Sequence, residues 1–183
     1  MPIQYGKIEV MKLAHSLRSK IGFTLVEVLV TLSITVLLSS VLILYSRTGE
    51  RQILLYREQS KVINIIAKSK SLALQTYIED ATTCGYGIHF SLPNTLILFK
   101  DISADCATSD NIYSGPIEDF SHLILATGIV ISASDIIDVL FIPPDPTVKL
   151  NPAQVSGVVT LQTIDGGAQA RIKMNNSGQI SIN

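Results

Sequence analysis

From Val28 to Ser46 the chain runs for 19 residues without a charged side chain and without proline. Leu, Val and Ile dominate the run. That length matches what an α-helix needs to cross a hydrocarbon layer of about 30 Å, so the sequence predicts a membrane-spanning helix over a buried core helix. A chain of 183 residues then has room for one further modest domain. A cleaved secretory signal would end in an Ala-x-Ala-like site. The nearest small pair here, Ser46-x-Thr48, has no Ala and lies among charges, so the apolar segment is expected to be retained. Lys7, Lys12, Arg18 and Lys20 precede it, and Arg47, Arg51, Arg57 and Lys61 follow at similar distances. Charge bias therefore leaves the topology open. The short N-terminal arm points to a single pass with the C-terminal part exported.

The entrance to the span is more specific than its bulk. A basic leader ends in Lys20-Ile21-Gly22, and Phe23-Thr24-Leu25-Val26-Glu27 opens the apolar stretch. Met1 and Met11 can each serve as the start; the second leaves a leader of twelve residues. Glu27 is the lone carboxylate there. An ionisable group costs roughly 2.5–3.5 kcal/mol at the centre of a membrane helix, and less toward an interface. Such a residue needs a partner or a function, snorkelling to the interface being the plainer reading.

Past the span, residues 50–78 hold neither Gly nor Pro. Arg57, Asn64, Lys68, Ser71 and Gln75 fall on one side, and Leu55, Val62, Ile63, Ile66, Ala67, Ala73, Leu74 and Tyr77 on the other. This is the period of an amphipathic helix, with Gln59 and Lys70 as blemishes. Gly49 is a place for a local bend. Beyond Asp80 the pattern turns to strands. Tyr86–Phe90 and Thr95–Phe99 flank a turn at Leu92-Pro93-Asn94 and predict a hairpin. Further apolar runs lie at His122–Ala126, Gly128–Ile131 and Asp138–Ile142, the last stopped by Pro143-Pro144-Asp145-Pro146. Val158–Ile164, Gln169–Met174 and Gln179–Ile182, separated by Asp165-Gly166-Gly167 and Asn176-Ser177-Gly178, predict a three-stranded meander. Residues 101–119 read as polar loop.

Charge is unevenly divided. Residues 47–78 carry a net +4 and residues 79–183 a net −7, within an overall −1. An acidic C-terminal part argues against broad nucleic-acid binding, which needs clustered cations. Cys84 and Cys106 are the two cysteines. Both fall in the exported part, where an oxidising compartment permits one disulfide, the alternative being two free thiols. The bridge would close a loop of roughly 23 residues, contribute about 3 kcal/mol and tether residues 101–110 to the end of the helix. Asp101, Asp105 and Asp110 lack the alternating spacing of a calcium loop and read as solvated loop charge. His15 lies in the leader. His89 and His122 sit in apolar strand contexts without a carboxylate arrangement of metal or triad type. With no phosphate loop, nucleophile elbow or zinc motif, no enzymatic activity, metal or cofactor is expected.

Gly22-Phe23-Thr24-Leu25-Val26-Glu27, followed by Val28-Leu29-Val30-Thr31-Leu32, resembles the N-terminus of type IV pilin-like proteins. The resemblance implies an α+β fold in which a long N-terminal helix packs on antiparallel β-sheet. It divides the chain into a prepilin leader (1–22), a transmembrane assembly helix (23–46), its amphipathic continuation (47–79) and a β-rich exported part (80–183). It further implies cleavage between Gly22 and Phe23 by a membrane prepilin peptidase, N-methylation of Phe23, and a role for Glu27 in pairing with the amine of a neighbouring subunit. Gly85-Tyr86-Gly87-Ile88-His89-Phe90, Leu96-Ile97-Leu98-Phe99-Lys100-Asp101 and Asn175-Asn176-Ser177-Gly178-Gln179-Ile180 are similar to H-type minor pseudopilins of type II secretion and related minor pilins. Leu44 stands where many major pilins carry a helix-breaking proline, which counts against an abundant pilus subunit. The partners implied are the peptidase, other pilins or pseudopilins, the cytoplasmic membrane and secreted cargo. A DNA-uptake minor pilin is a rival, resting on a local patch of Arg171 and Lys173 against the acidic balance. An unprocessed, single-pass anchored binding protein or enzyme is another.

Overall fold

The computed structural model describes residues 22–76, 82–144 and 147–182, apart from the side chains of Leu44, Arg47, Thr48 and Thr76. Of the leader expected over 1–22, only Gly22 is among them, and Tyr77 is not. The chain divides into two units, Met1–Ile43 and Leu44–Asn183. A single helix, α1 (Leu25–Thr76), belongs to both and includes Gly49. In the first unit every described side chain is exposed, and Leu25–Ile43 is long and apolar enough to cross a membrane.

In the second unit, α1 is followed by β1 (Thr83–Ser91), β2 (Thr95–Ile102), a 3-10 turn (Pro116–Glu118), β3 (Asp119–Ile124), β4 (Ile129–Ser134), β5 (Asp138–Ile142), β6 (Thr147–Asn151), β7 (Ser156–Thr163), β8 (Gln169–Asn175) and β9 (Ile180–Ile182). These strands form two antiparallel sheets, ordered β3-β2-β1-β5-β6 and β4-β7-β8-β9. The α+β arrangement expected from the sequence is the one observed. The hairpin and the meander are both present, and Gly166 turns between β7 and β8 at φ 74°, a left-handed conformation that glycine adopts without steric cost. β3 begins earlier than expected, at Asp119, and β6 was not expected at all.

One core serves both sheets. Leu55, Val62, Ile65, Ile66 and Ala73 of α1 join Tyr86, Ile88, Leu98, Val139 and Phe141 of the first sheet, and Ile131, Leu161, Ile172 and Met174 of the second. The buried stripe of α1 differs from the expected one. Ala67 and Leu74 are exposed, whereas Ile65, Glu58, Gln59 and Ser69 are buried. The physical reason is angular: at about 100° per residue, positions 55, 58, 62, 65, 66, 69 and 73 share one narrow face, and 67 and 74 stand well off it. Glu58 is satisfied there. Lys61 Nζ donates to its Oε1 at 2.6 Å, and the Ala126 N–H donates to its Oε2 at 3.1 Å, tying α1 to the β3–β4 connection. Among the described residues, Gln59 Nε2 and Ser69 Oγ have no hydrogen-bond partner. A second tie joins Arg51 to Asp165 in the β7–β8 turn.

The other face of the first sheet is covered by its own loop. β1 presents Gly85 and Gly87 there, and the ring of Phe99 from β2 lies over Gly87: a Cβ built on Gly87 would stand 2.4 Å from Phe99 Cζ. Tyr113, from the loop between β2 and the 3-10 turn, packs on Phe99 with ring centroids 5.5 Å apart and on His89 at 4.6 Å. Phe99 and Leu140 are both fully buried.

The candidate processing and assembly segment

Gly22, Phe23 and Thr24 precede the first helical residue, Leu25, and Gly22 and Phe23 are exposed. A Cβ on Gly22 would meet nothing within 4 Å. Thr24 caps α1. Its Oγ1 accepts from the Glu27 N–H at 3.2 Å, and Glu27 Oε2 accepts from the Thr24 N–H and hydroxyl, both at 3.3 Å. This reciprocal pair is a capping box, in which an N-terminal Thr and a Glu three residues on satisfy backbone donors that the helix leaves open. Thr24-x-x-Glu27 is readable in the sequence, but the apolar context drew attention to charge alone. Glu27 thus has a partner within its own chain, one turn from the Phe23 position. An acid in the first turn also sits favourably against the helix dipole.

Farther along the span, polar side chains are turned inward onto the helix. Thr31, Ser33, Thr35, Ser39 and Ser40 donate to the carbonyls of Val28, Leu29, Leu32, Thr35 and Leu37 at 2.7–3.0 Å. Hydroxyls satisfied in this way need no water, and the outer surface that remains is apolar.

In the second unit, Cys84 and Cys106 form a disulfide, with Cα atoms 5.1 Å apart. The bridge fastens the loop after β2 to the start of β1. Asp101 departs from the solvated loop charge expected. It lies on β2 at 1% exposure, and Ser109 Oγ sits 2.6 and 2.5 Å from its two carboxylate oxygens. Asp105 and Asp110 are exposed and cap backbone N–H groups of Ala107 and Ile112. Among the described residues, no three His, Cys, Asp or Glu side chains are grouped to hold a metal ion.

His89 and His122 both meet carboxylates, though in no grouping that could hold a metal ion among the described residues. Strand pairing sets His89 opposite Asp138, and Asp138 opposite Asn151. His89 Nδ1 lies 2.7 Å from Asp138 Oδ1, and Asn151 Nδ2 donates to Asp138 Oδ2 at 2.6 Å. His122 Nε2 lies 2.9 Å from Asp119 Oδ2, and Tyr113 donates its hydroxyl to Asp119 Oδ1 at 2.7 Å. His89 and His122 therefore each have a carboxylate partner, His15 lying outside the described residues; His89 meets one 49 residues away, which spacing along the chain could not reveal. The Tyr113 bond, followed by the His122 contact, holds Asp119 below the usual carboxylate range, and Asp119 in turn pushes the Tyr113 phenol up to about 12. Arg171 and Lys173 project from the exposed face of β8 and line a shallow surface with Asp135 and Thr160. An acid shares the local basic patch.

The prokaryotic N-terminal methylation motif matches residues 17–43. The match supports a type IV pilin-like protein. Its matched stretch takes in the Gly22–Phe23 junction, the capping box and the span. No curated protein and no solved structure matches the chain. The pilin-like motif implies processing by prepilin peptidase and assembly with other pilins, and it suggests a structural subunit and not an enzyme. With the apolar helix, it is consistent with membrane anchoring.

Proposed function

We propose that this chain is a minor subunit of a type IV pilus-like filament, most specifically a minor pseudopilin of a type II secretion system. In this reading it is cleaved between Gly22 and Phe23, N-methylated at Phe23 and drawn from the cytoplasmic membrane into the filament through its apolar helix. The exported C-terminal unit then meets neighbouring subunits or secreted cargo. A minor pilin of a surface or DNA-uptake pilus is the alternative within the same class.

The observation that carries the reading is Glu27 standing fifth, with Phe23 counted as first, in the otherwise uncharged, exposed stretch of α1 up to Ile43 that the methylation motif covers. In the free chain its carboxylate is occupied by Thr24. After cleavage the new terminal amine lies one turn away, and in a staggered stack the amine of one subunit meets the Glu27 of the next. Leaving either charge without its partner in an apolar bundle costs about 3–5 kcal/mol. Two substitutions separate pairing from capping. Glu27→Gln keeps the capping box, which accepts either residue, but removes the charge; Glu27→Leu removes both. Both variants are expected to insert and be processed, and both to be lost from sheared filaments or crosslinked pseudopilin complexes. Glu27→Gln assembling like the wild type would sink the pairing role. Edman sequencing that finds the leader still joined to Phe23 would sink the family reading itself.

A further inference from the structure

The loop of residues 103–115 lies on the face of β1 and β2 turned away from α1, and three kinds of tie hold it there. The Cys84–Cys106 bridge fixes it covalently near its start. Tyr113 packs over Phe99 and His89 near its end. Between these, the loop is fastened to two buried carboxyl groups, Asp101 at 1% and Glu118 at 7% exposure. Ser109 Oγ reaches both oxygens of Asp101, and the Ser114 N–H donates to Glu118 Oε2 at 2.7 Å. Asn111 takes φ 60° beside the first anchor, with its N–H on Ser109 Oγ and its amide on the Ser109 carbonyl. Ser114 Oγ donates to Asp110. No lysine or arginine occurs between residues 101 and 148, whereas eight acids do.

We propose that the 103–115 loop is a strap that acid tightens: the disulfide keeps it tethered, and Asp101 and Glu118 hold it down when uncharged and release it from the β1–β2 face as they ionise. The charges around both anchors favour this. Glu118 faces Asp101 and Asp110, and Asp101 faces Asp110, with Lys149 of β6 as the opposing cation. Asp119, already engaged by Tyr113 and His122, stands next to Glu118. Asp105 is exposed on the loop itself. Burial, ahead of these charges, pushes both anchor carboxyls above their ordinary values, and the hydrogen bonds from Ser109 to Asp101 and from the Ser114 and Ile102 N–H groups to Glu118 only partly oppose it. A carboxyl raised in the closed form binds its proton more tightly there than in the lifted form. The closed form is thus favoured at low pH, and the advantage is lost as pH climbs from the ordinary carboxylate value through the raised one. Lifting the strap uncovers Phe99 and His89, on which Tyr113 packs.

The test is amide hydrogen exchange on the full chain in detergent or nanodiscs from pH 4 to pH 8, with intrinsic rates divided out. Strap peptides are compared with β7–β8 peptides. Strap protection is expected to fall with rising pH by up to about tenfold per pH unit for each carboxyl titrating in the window, and β7–β8 protection to stay level. In Asp101→Asn/Glu118→Gln the strap should stay protected with a flat profile. A wild-type strap whose protection does not change with pH overturns the proposal, as does a double variant that follows the wild-type slope. If β7–β8 protection is lost in the double variant, Asp101→Asn alone is used, and its strap must show a shallower pH slope than the wild type.

Discussion

Replacing Gly87 with alanine asks the first sheet to accept one methyl where Phe99 already lies. The added carbon would stand 2.4 and 2.5 Å from Phe99 Cζ and Cε1, and 2.7 Å from the Val139 carbonyl oxygen. Ordinary contact begins near 3.4 Å, so about 1 Å of movement is required. Neither neighbour can supply it readily. Phe99 is fully buried with Tyr113 against it, and Val139 belongs to β5, which pairs with β1. Overpacking of this kind costs typically 1–3 kcal/mol, and the rigidity of both neighbours puts this site near the upper end. For a chain of this size, 1 kcal/mol moves the midpoint by roughly 2–4 °C. Gly87→Ala should therefore melt about 4–12 °C below the wild type, read by circular dichroism on the full chain in detergent. Gly49→Ala is the matched control. A Cβ there meets nothing within 4 Å and the position is helical, so helix propensity alone should stabilise it by about 1 kcal/mol. Because the clash is with one ring, adding Phe99→Leu to Gly87→Ala should cost less than the two changes summed. A Gly87→Ala protein melting within about 1 °C of the wild type, or additive costs in the double variant, would refute the packing argument.

Ser69→Ala removes a buried hydroxyl that has no partner among the described residues and puts a better helix former in its place; stability should rise by about 1 kcal/mol, checked by thermal or denaturant melting. The Tyr113 phenol should ionise close to pH 12, read as the difference in absorbance near 295 nm between the wild type and Tyr113→Phe. The fold holds its phenol neutral, so the stability it contributes is complete below pH 10 and disappears between there and about 12. The sign reverses for Asp119, whose lowered value contributes stability above the ordinary aspartate range that is lost as pH falls through the folded value. Tyr113→Phe should return Asp119 toward its usual range, visible in the carboxyl chemical shift.

Elements with local signatures were legible in the sequence, and those that depend on register were not. The β1–β2 hairpin and the β7–β9 meander were marked by turn residues between apolar runs, and the span by its composition. β6 was hidden because Thr147-Val-Lys-Leu-Asn is short, half polar and follows three prolines; an edge strand needs only Val148 and Leu150 to face inward. On α1, Leu55, Val62, Ile66 and Ala73 could be read as the inner face. Glu58 could not, since its burial depends on the Ala126 N–H, contributed 68 residues later. The same limit applied to His89 and Asp138. At the entrance of the span the position of Glu27 was plain, whereas its hydrogen bonds to Thr24 came from a motif read past in favour of its charge. Asp101 looked like loop because most of the residues that follow it are polar, yet it is the last residue but one of β2, under a loop that folds back over it.

The stretch of α1 from Leu55 to Ala73 lines both sheets, so the strands of the second unit have no complete interior without it. A protease cutting inside that stretch would leave Ile88, Phe141, Leu161 and Ile172 looking into an unfilled trough. Detachment there and collapse become a single event. The second unit could separate intact only if severed upstream of Leu55, and any shed fragment that keeps its shape must carry this part of α1 with it.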